Sequence, residues 1–233
     1  MLLTYKTELI NKGFAITKPI FSDEELKHLS SNIDNSNTLY AKRQLIKTNL
    51  EVLKLIFNNS SFKKLYKSVC DNSYFLSKSI YFNKPKKSNW FVNYHQDMSI
   101  SVKEKLELEG YSKWTLKDGQ LGVIPPVDIV SNTITFRIHL DDTNATNGAL
   151  RVIPKSHKLG IIRVDENFNK SQFETEELCN VEKGGVMLMS PLLLHASDKS
   201  TSDYDRRVIQ LEFCNQDIPM GWLEKKELSN LIA

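Results

Sequence analysis

Tyr94-His95-Gln96-Asp97 is the stretch of this 233-residue chain whose residue types and spacing could do chemistry. In an extended strand, residues i and i+2 project from the same face. His95 and Asp97 would then turn one imidazole and one carboxylate into the same cavity. A third ligand is available at His195, which ends the apolar run Leu192-Leu193-Leu194. Two His and one carboxylate on one face of a metal, with its other positions open, suit a non-haem ferrous centre. An H-x-[DE] match is cheap by itself: five His and 28 acids give about 0.6 chance matches in such a chain. A second match does occur, His139-Leu140-Asp141. The surroundings favour the first. His95 follows an aromatic strand and precedes a long insert, whereas Asp141 opens the turn-forming cluster Asp141-Asp142-Thr143-Asn144. His139 alone reads as a hydrogen-bonded structural histidine.

The continuation past His195 adds an anchor. Ser197 lies two residues on and faces the same way. Arg206 lies eleven residues beyond His195, at the start of the next strand. An antiparallel return would aim its guanidinium into the same cavity, with Arg207 as the rival because neighbouring strand residues face opposite sides. A guanidinium holds a carboxylate through two parallel hydrogen bonds. A 2-oxoglutarate cosubstrate bound to a metal at one end would need such an anchor at the other.

Two textures must position these residues. The first 70 or so residues read as helical. A short helix over 4–12 stops at Gly13, and strand-like Phe14-Ala15-Ile16-Thr17 follows. Ser22 and Glu25 form a capping-box pattern, with Asp23 and Glu24 in the first turn where the helix dipole favours acids. Leu26, Leu29 and Ile33 give that helix an apolar side, and Asp34-Asn35-Ser36-Asn37 breaks it. Further helices are expected over 40–57 and 61–70. From about residue 74 short strands take over, at 74–76, 79–82, 90–95, 131–140, 150–153, 186–189 and 207–213. Residues 160–180 are polar and irregular, and the tail from Pro219 holds a short helix at best. The insert 98–126 reads as a lid, with Tyr111 and Trp114 shaping substrate choice. The expected architecture is mainly β with N-terminal helices: one domain over 1–233, a helical layer on a β-sandwich or jelly roll.

Composition narrows the function classes. A net charge of +3 is too mild for a nucleic-acid partner. The local lysines Lys63-Lys64, Lys84 and Lys86-Lys87 are all expected on solvated faces. Three widely spaced cysteines, Cys70, Cys179 and Cys214, form no C-x-x-C and fit a reducing cytosol. The N-terminus lacks the apolar run of a signal peptide, and no stretch approaches the ~18 apolar residues of a membrane span. A cytoplasmic, intracellular protein is expected.

The chain resembles the phytanoyl-CoA dioxygenase family of Fe(II)/2-oxoglutarate oxygenases. The matching text is Asn83-Lys84-Pro85, His95-Gln96-Asp97, Asp118-Gly119, Pro125-Pro126, His139-Leu140-Asp141-Asp142 and Asn147-Gly148-Ala149-Leu150. It continues with Ile153-Pro154-Lys155-Ser156-His157, His195-Ala196-Ser197 and Arg206, in order over roughly 75–215; Gly13-Phe14 and the helix after it also fit. The resemblance implies a double-stranded β-helix, cupin-like, with His95, Asp97 and His195 as metal ligands and His139 as framework. It implies that Arg206 and Ser197 hold the cosubstrate, and it places Arg137 where other members have Trp or Arg near it. Lys155 stands where the family has Gly, so that turn is expected to differ. The implied cofactors are Fe(II), 2-oxoglutarate and O2. The implied reaction hydroxylates an unactivated C–H of a small metabolite, with release of succinate and CO2. Related halogenases lack the carboxylate that Asp97 supplies, which favours hydroxylation or another oxidation. Two other readings remain: a non-catalytic jelly-roll binding or sensing protein, and a cupin-type metalloenzyme without 2-oxoglutarate, which would have no need of Arg206.

Overall fold

The computed structural model describes residues 2–33, 40–117 and 119–232. The expected break at Asp34-Asn35-Ser36-Asn37 and Asp118 of the Asp118-Gly119 pair lie outside the described residues. In chain order the elements are α1 (Leu2–Lys12), β1 (Phe14–Ile16), α2 (Asp23–Ser31), β2 (Ala41–Arg43), α3 (Leu45–Thr48), α4 (Leu50–Asn58) and α5 (Ser60–Val69). Then follow β3 (Phe75–Lys84), β4 (Val92–His95), β5 (Ile100–Ser101), β6 (Ser112–Lys117), β7 (Gln120–Ile124), α6 (Val127–Ser131) and β8 (Thr133–His139). The rest are β9 (Leu150–Val152), β10 (Glu177–Leu178), β11 (Val186–Met189), β12 (His195–Ser197), β13 (Arg206–Cys214) and α7 (Ser229–Ile232).

The strands form three antiparallel sheets. The major one runs β1-β11-β8-β13-β3-β2, the minor one β10-β9-β12-β4, and the third β5-β7-β6. This is a jelly-roll arrangement in which no barrel closes among the described residues. Period-2 alternation gives the major sheet two unlike faces. Tyr81, Phe136, Ile138, Ile209, Leu211 and Phe213 join the apolar core with Leu53, Phe57, Phe62 and Tyr66 of the helices. The opposite face carries Lys78, Arg137, Gln210, Glu212 and Arg206, all polar and most of them buried. One face thus holds the helical layer on, and the other is left to build a polar cavity.

The helical layer departs from expectation at one place. Residues 40–57 form a strand and two helices instead of one helix. β2 pairs with the edge of β3, Arg43 facing Ile80. Gln44 then takes a left-handed conformation with φ 55°, which stops a helix from running through. The short α3 starts against distant partners: the Ile46 and Lys47 amides donate to Ser79 Oγ (2.8 Å) and Glu224 Oε1 (3.1 Å). These meet the N–H groups that a helix start leaves unpaired. The capping box at α2 forms as expected, Ser22 N donating to Glu25 Oε2 at 2.7 Å and Glu25 N to Ser22 Oγ at 3.3 Å. The expected strands at 74–76 and 79–82 are one continuous strand, β3.

Phe213 shows what holds the layers together. Its fully buried ring lies 5.1 Å from the Tyr66 ring and 5.1 Å from the Phe136 ring, both edge-on. Phe213→Ala is expected to destabilise the protein by about 3–5 kcal/mol, the transfer and cavity cost of a lost core aromatic, as read from denaturant unfolding.

Candidate metal centre

β4 and β12 lie side by side, and their register sets His195 directly opposite His95. The two rings come within 4.2 Å, centroid to centroid. Each imidazole is oriented through its Nδ1 by a backbone carbonyl two residues earlier, Asn93 O at 2.9 Å for His95 and Leu193 O at 2.8 Å for His195. That fixes the tautomer and turns both Nε2 atoms toward Asp97. Asp97 Oδ1 lies 3.5 Å from His95 Nε2 and Asp97 Oδ2 lies 3.8 Å from His195 Nε2. The three ligand atoms fall within 4.8 Å of one another. Asp97 sits just past the end of β4, where its amide donates to Pro191 O at 2.8 Å. Gln96 turns the other way, giving its amide to Leu192 O (2.7 Å) and Gly160 O (2.8 Å) and accepting from Ile162 N. It ties the ligand strand to two loops.

The electrostatics suit a metal. Burial opposes ionisation of Asp97, but the His195 and His95 rings outweigh it and hold the carboxyl well below the usual carboxylate range. Burial pushes His195 down to about 4 against the pull of Asp97, so its imidazole is neutral at neutral pH. Two anchored ring nitrogens and one carboxylate, all aimed at one point, match the donor set of a ferrous facial triad.

A cavity of about 670 Å³ opens on this set, within the usual range for small-molecule sites. Arg137 and Arg206 line it from the major sheet, and both are buried. Arg206 Nη1 donates to the Gly148 carbonyl, and Ser197 Oγ donates to the same oxygen at 2.9 Å. Lys84, expected on a solvated face, is instead fully buried, because β3 pairs with β13 and sets it opposite Arg206, where it donates to Ser197 Oγ at 3.1 Å and to Asp198 O. Arg137 donates to Gln210 Oε1 and lies over the Phe82 ring at 5.5 Å. Neither guanidinium has a carboxylate partner among the described residues, and the Nε of each is buried and unpaired. Burial and the nearby Arg137 push Arg206 down to about 9, and burial with Arg206 pushes Lys84 down to about 8. Buried cations lacking a counter-anion await an anionic ligand. A dicarboxylate fits that need.

The competing positions resolve. Arg207 points away and grips Asp141 bidentately, Nε to Oδ2 at 2.8 Å and Nη2 to Oδ1 at 2.7 Å. His139 is buried against Thr143 Oγ1 at 2.7 Å, so the second H-x-D brings no carboxylate to its histidine. His157 faces Ile10 O at 3.1 Å, and Lys155 takes the left-handed conformation, φ 65°, where the family has Gly. Tyr111 and Trp114 pack on an apolar cluster with Val102, Val123 and Trp222 and do not line the cavity. Thr115 and Lys117 of the same strand line it instead. Lys84, Gln210, Arg43 and Lys117 were not assigned from sequence. Lys84 lies two residues on from Phe82 and Gln210 four residues on from Arg206, each on one strand face; the others depend on sheet pairing.

The jelly roll with an inward His-His-Asp set and unpaired buried arginines defines a class, the metal-dependent oxygenases of the double-stranded β-helix. The family model of phytanoyl-CoA dioxygenase (PhyH) matches residues 10–208, and the chain belongs to that family. Its cofactors are Fe(II) and 2-oxoglutarate. Among solved structures, EvdMO1 is 18% identical over 91% of this chain with a TM-score of 0.65; the chain spans 50% of its length. HygX from Streptomyces hygroscopicus, with iron bound, is 16% identical over 91% of this chain and 85% of its own, TM-score 0.63. SnoK, a non-haem α-ketoglutarate-dependent carbocyclase from nogalamycin biosynthesis, is 12% identical over 98% of this chain and 88% of its own, TM-score 0.65. These likenesses show the fold. No curated protein matches the sequence. No helix among the described residues is long and apolar enough to cross a membrane.

Gly148 sits where Arg206, Ser197 and Lys84 meet. It holds φ 74°, and a Cβ there would come 2.6 Å from the Asp198 carbonyl oxygen and press on the Lys84 ammonium. Gly148→Ala is expected to cost roughly 1–3 kcal/mol of stability and to weaken 2-oxoglutarate binding. Denaturant unfolding and cosubstrate titration check the two effects.

Proposed function

We propose that the chain, as one catalytic domain, hydroxylates an unactivated C–H of a small metabolite while 2-oxoglutarate is converted to succinate and CO2. The observation that carries this reading is the convergence of His95, Asp97 and His195 within 4.8 Å, beside buried arginines that have no acid partner among the described residues. His95, Asp97 and His195 would hold the iron. Arg206 and Ser197 would hold the distal carboxylate of the cosubstrate, with Arg137 flanking it. Bound Fe(II) supplies the activation of O2 that no protein side chain can provide.

The protein's own part is geometry and exclusion. The Asn93 and Leu193 carbonyls keep both Nε2 lone pairs inward. Burial keeps His195 unprotonated, so a proton does not compete for its ligand position. Arg206 stays cationic at neutral pH even at about 9, and a carboxylate beside it strengthens that state. Ile80, Phe82, Val92 and Ile124 give the cavity apolar walls that keep bulk water from the reacting carbon. Asp97 fills the position that a halide would need, which favours oxygen insertion over halogenation. Ring closure of the kind named for SnoK is the second reading, and the placement of the substrate carbon decides between the two. The cupin reading without cosubstrate leaves the buried Arg206 with no carboxylate partner among the described residues. Three buried free cysteines fit a reducing compartment, and we place the enzyme in the cytoplasm.

The test is anaerobic addition of Fe(II) and 2-oxoglutarate to metal-free protein, followed by the visible metal-to-ligand charge-transfer band. The band is expected in wild type and absent in His95→Ala. In Arg206→Ala the half-saturating 2-oxoglutarate concentration should rise on the order of a hundredfold, the equivalent of about 3 kcal/mol for a charge-assisted pair. Folded wild-type protein without the band would sink the reading.

A further inference from the structure

The third sheet turns one face to the cavity, and that face is rich in neutral hydrogen-bonding groups. Ser101 of β5 and Thr115 of β6 both stand opposite Gly122 of β7, and Gln120 lies two residues before that glycine on the same face. All four line the cavity, as does Ser99. Gly122 keeps the centre open. A Cβ there would come 2.8 Å from Thr115 Oγ1 and 3.0 Å from Ser99 Oγ, so the two hydroxyls lean together over the glycine. Neither hydroxyl has a hydrogen bond among the described residues. Gln120 is 8% exposed. Its Nε2 donates to Ser101 Oγ, and its Oε1 is buried with no partner among the described residues. Ser99 is held in place by its carbonyl, which accepts from Lys78 Nζ at 2.9 Å, and Lys78 is in turn 3.3 Å from the buried Glu212. The Ser99 hydroxyl is thus left to a ligand. Ser99 follows Asp97 by two residues, so this wall lies within about 7 Å of chain from a metal ligand. Phe82 and Trp90, their rings 6.1 Å apart, line the same cavity.

We propose that this wall binds the substrate, and that the substrate is a neutral polyhydroxylated ring, a cyclitol or a glycoside. This rests on the oxygenase reading, which puts the metal and cosubstrate beside the wall. A buried amide end without a partner is costly, and a ligand that completes it is favoured. A hydroxyl completes this set: it donates to Gln120 Oε1 and accepts from Thr115 or Ser99. A carboxylate accepts only and leaves Gln120 Oε1 unpaired. An ammonium donates only and gives the two hydroxyl protons nothing to bond. Ring hydroxyls meet the wall, and the C–H face of the ring has Phe82 and Trp90 to cover. A site built to pair with a substrate hydroxyl rejects the analogue that lacks it, because its own groups are then left unpaired. Gln120 and Thr115 are therefore specificity-determining residues, and Ser99 ties recognition to the segment that carries Asp97.

The test uses protein loaded anaerobically with Fe(II) and saturating 2-oxoglutarate, its charge-transfer band confirming loading in wild type and in each variant. Five ring probes are then titrated calorimetrically: the polyols myo-inositol and methyl α-D-glucopyranoside, and the singly substituted cyclohexanol, cyclohexanecarboxylate and cyclohexanecarboxamide. At least one polyol is expected to bind about tenfold tighter than all three singly substituted rings, the effect of completing a buried hydrogen-bond set. The advantage should fall to within about threefold in Gln120→Leu and in Thr115→Val. Loaded wild-type protein that binds neither polyol overturns the proposal, as does a singly substituted ring that binds as tightly as the better polyol. So does a polyol advantage that survives in Gln120→Leu. If that variant fails to load, Thr115→Val, a change of matched size at an exposed strand residue, is read in its place. A wild-type protein that never forms the band overturns the oxygenase reading, and this substrate assignment falls with it.

Discussion

The structure depends on the register that sets His195 opposite His95. Strand pairing has a side-chain period of two, so a slip of one residue between β4 and β12 would turn one imidazole out of the cavity. Several contacts hold the register. Asp97 is tied to Pro191, Gln96 bridges to Leu192 and to the loop at Gly160, and Ser156 Oγ accepts the Leu194 amide at 2.8 Å. None of these atoms would touch the metal. They make the position of the ligands a property of the backbone, which is stiffer than any single side chain, and preorganisation of this kind is what a metal site needs from its surroundings.

The major sheet solves a second problem, the burial of charge. Its helix-facing side is apolar and pays the cost of folding through aromatic packing around Phe136 and Phe213. Its cavity side carries a chain of polar contacts from Arg137 through Gln210 to Glu212 and Lys78, which ends at the Ser99 carbonyl in the approach to β5. Satisfying Glu212 and Lys78 with one another confines the unmatched charge to the arginines beside the ligand set. The same strands therefore supply stability on one face and binding on the other.

The parts legible in the sequence were those governed by local periodicity. His95 with Asp97, and His195 with Ser197, follow from the two-residue repeat, and the α2 cap follows from Ser22 and Glu25. Arg206 and Arg207 could be separated from residues alone only as alternatives; the bidentate grip of Asp141 on Arg207 separates them in space. Parts that depend on long-range pairing were not legible. The stretch at 40–57 has helical composition, but the free edge of β3 takes Ala41–Arg43 as a strand and so delivers Arg43 to the cavity. Trp114 is one residue away from the face that Thr115 and Lys117 share, and a register shift between Ser112 and Thr115 hides that face from a simple count. Lys84 meets Ser197 only because β3 and β13 pair with Arg206 opposite it.

β13 is bonded on both sides, to β3 and to β8, and contacts such as Ser77 to Glu212 close 135 residues of chain. Folding of such a sheet is slow, because the entropy of long loops must be surrendered before the pairing rewards it. Until β13 docks, the edges of β3 and β8 are open to other chains; His195 meets His95 through a different pairing, that of β12 with β4. An ion that binds the three converged ligands more tightly than the separated strands would favour the assembled fold by mass action.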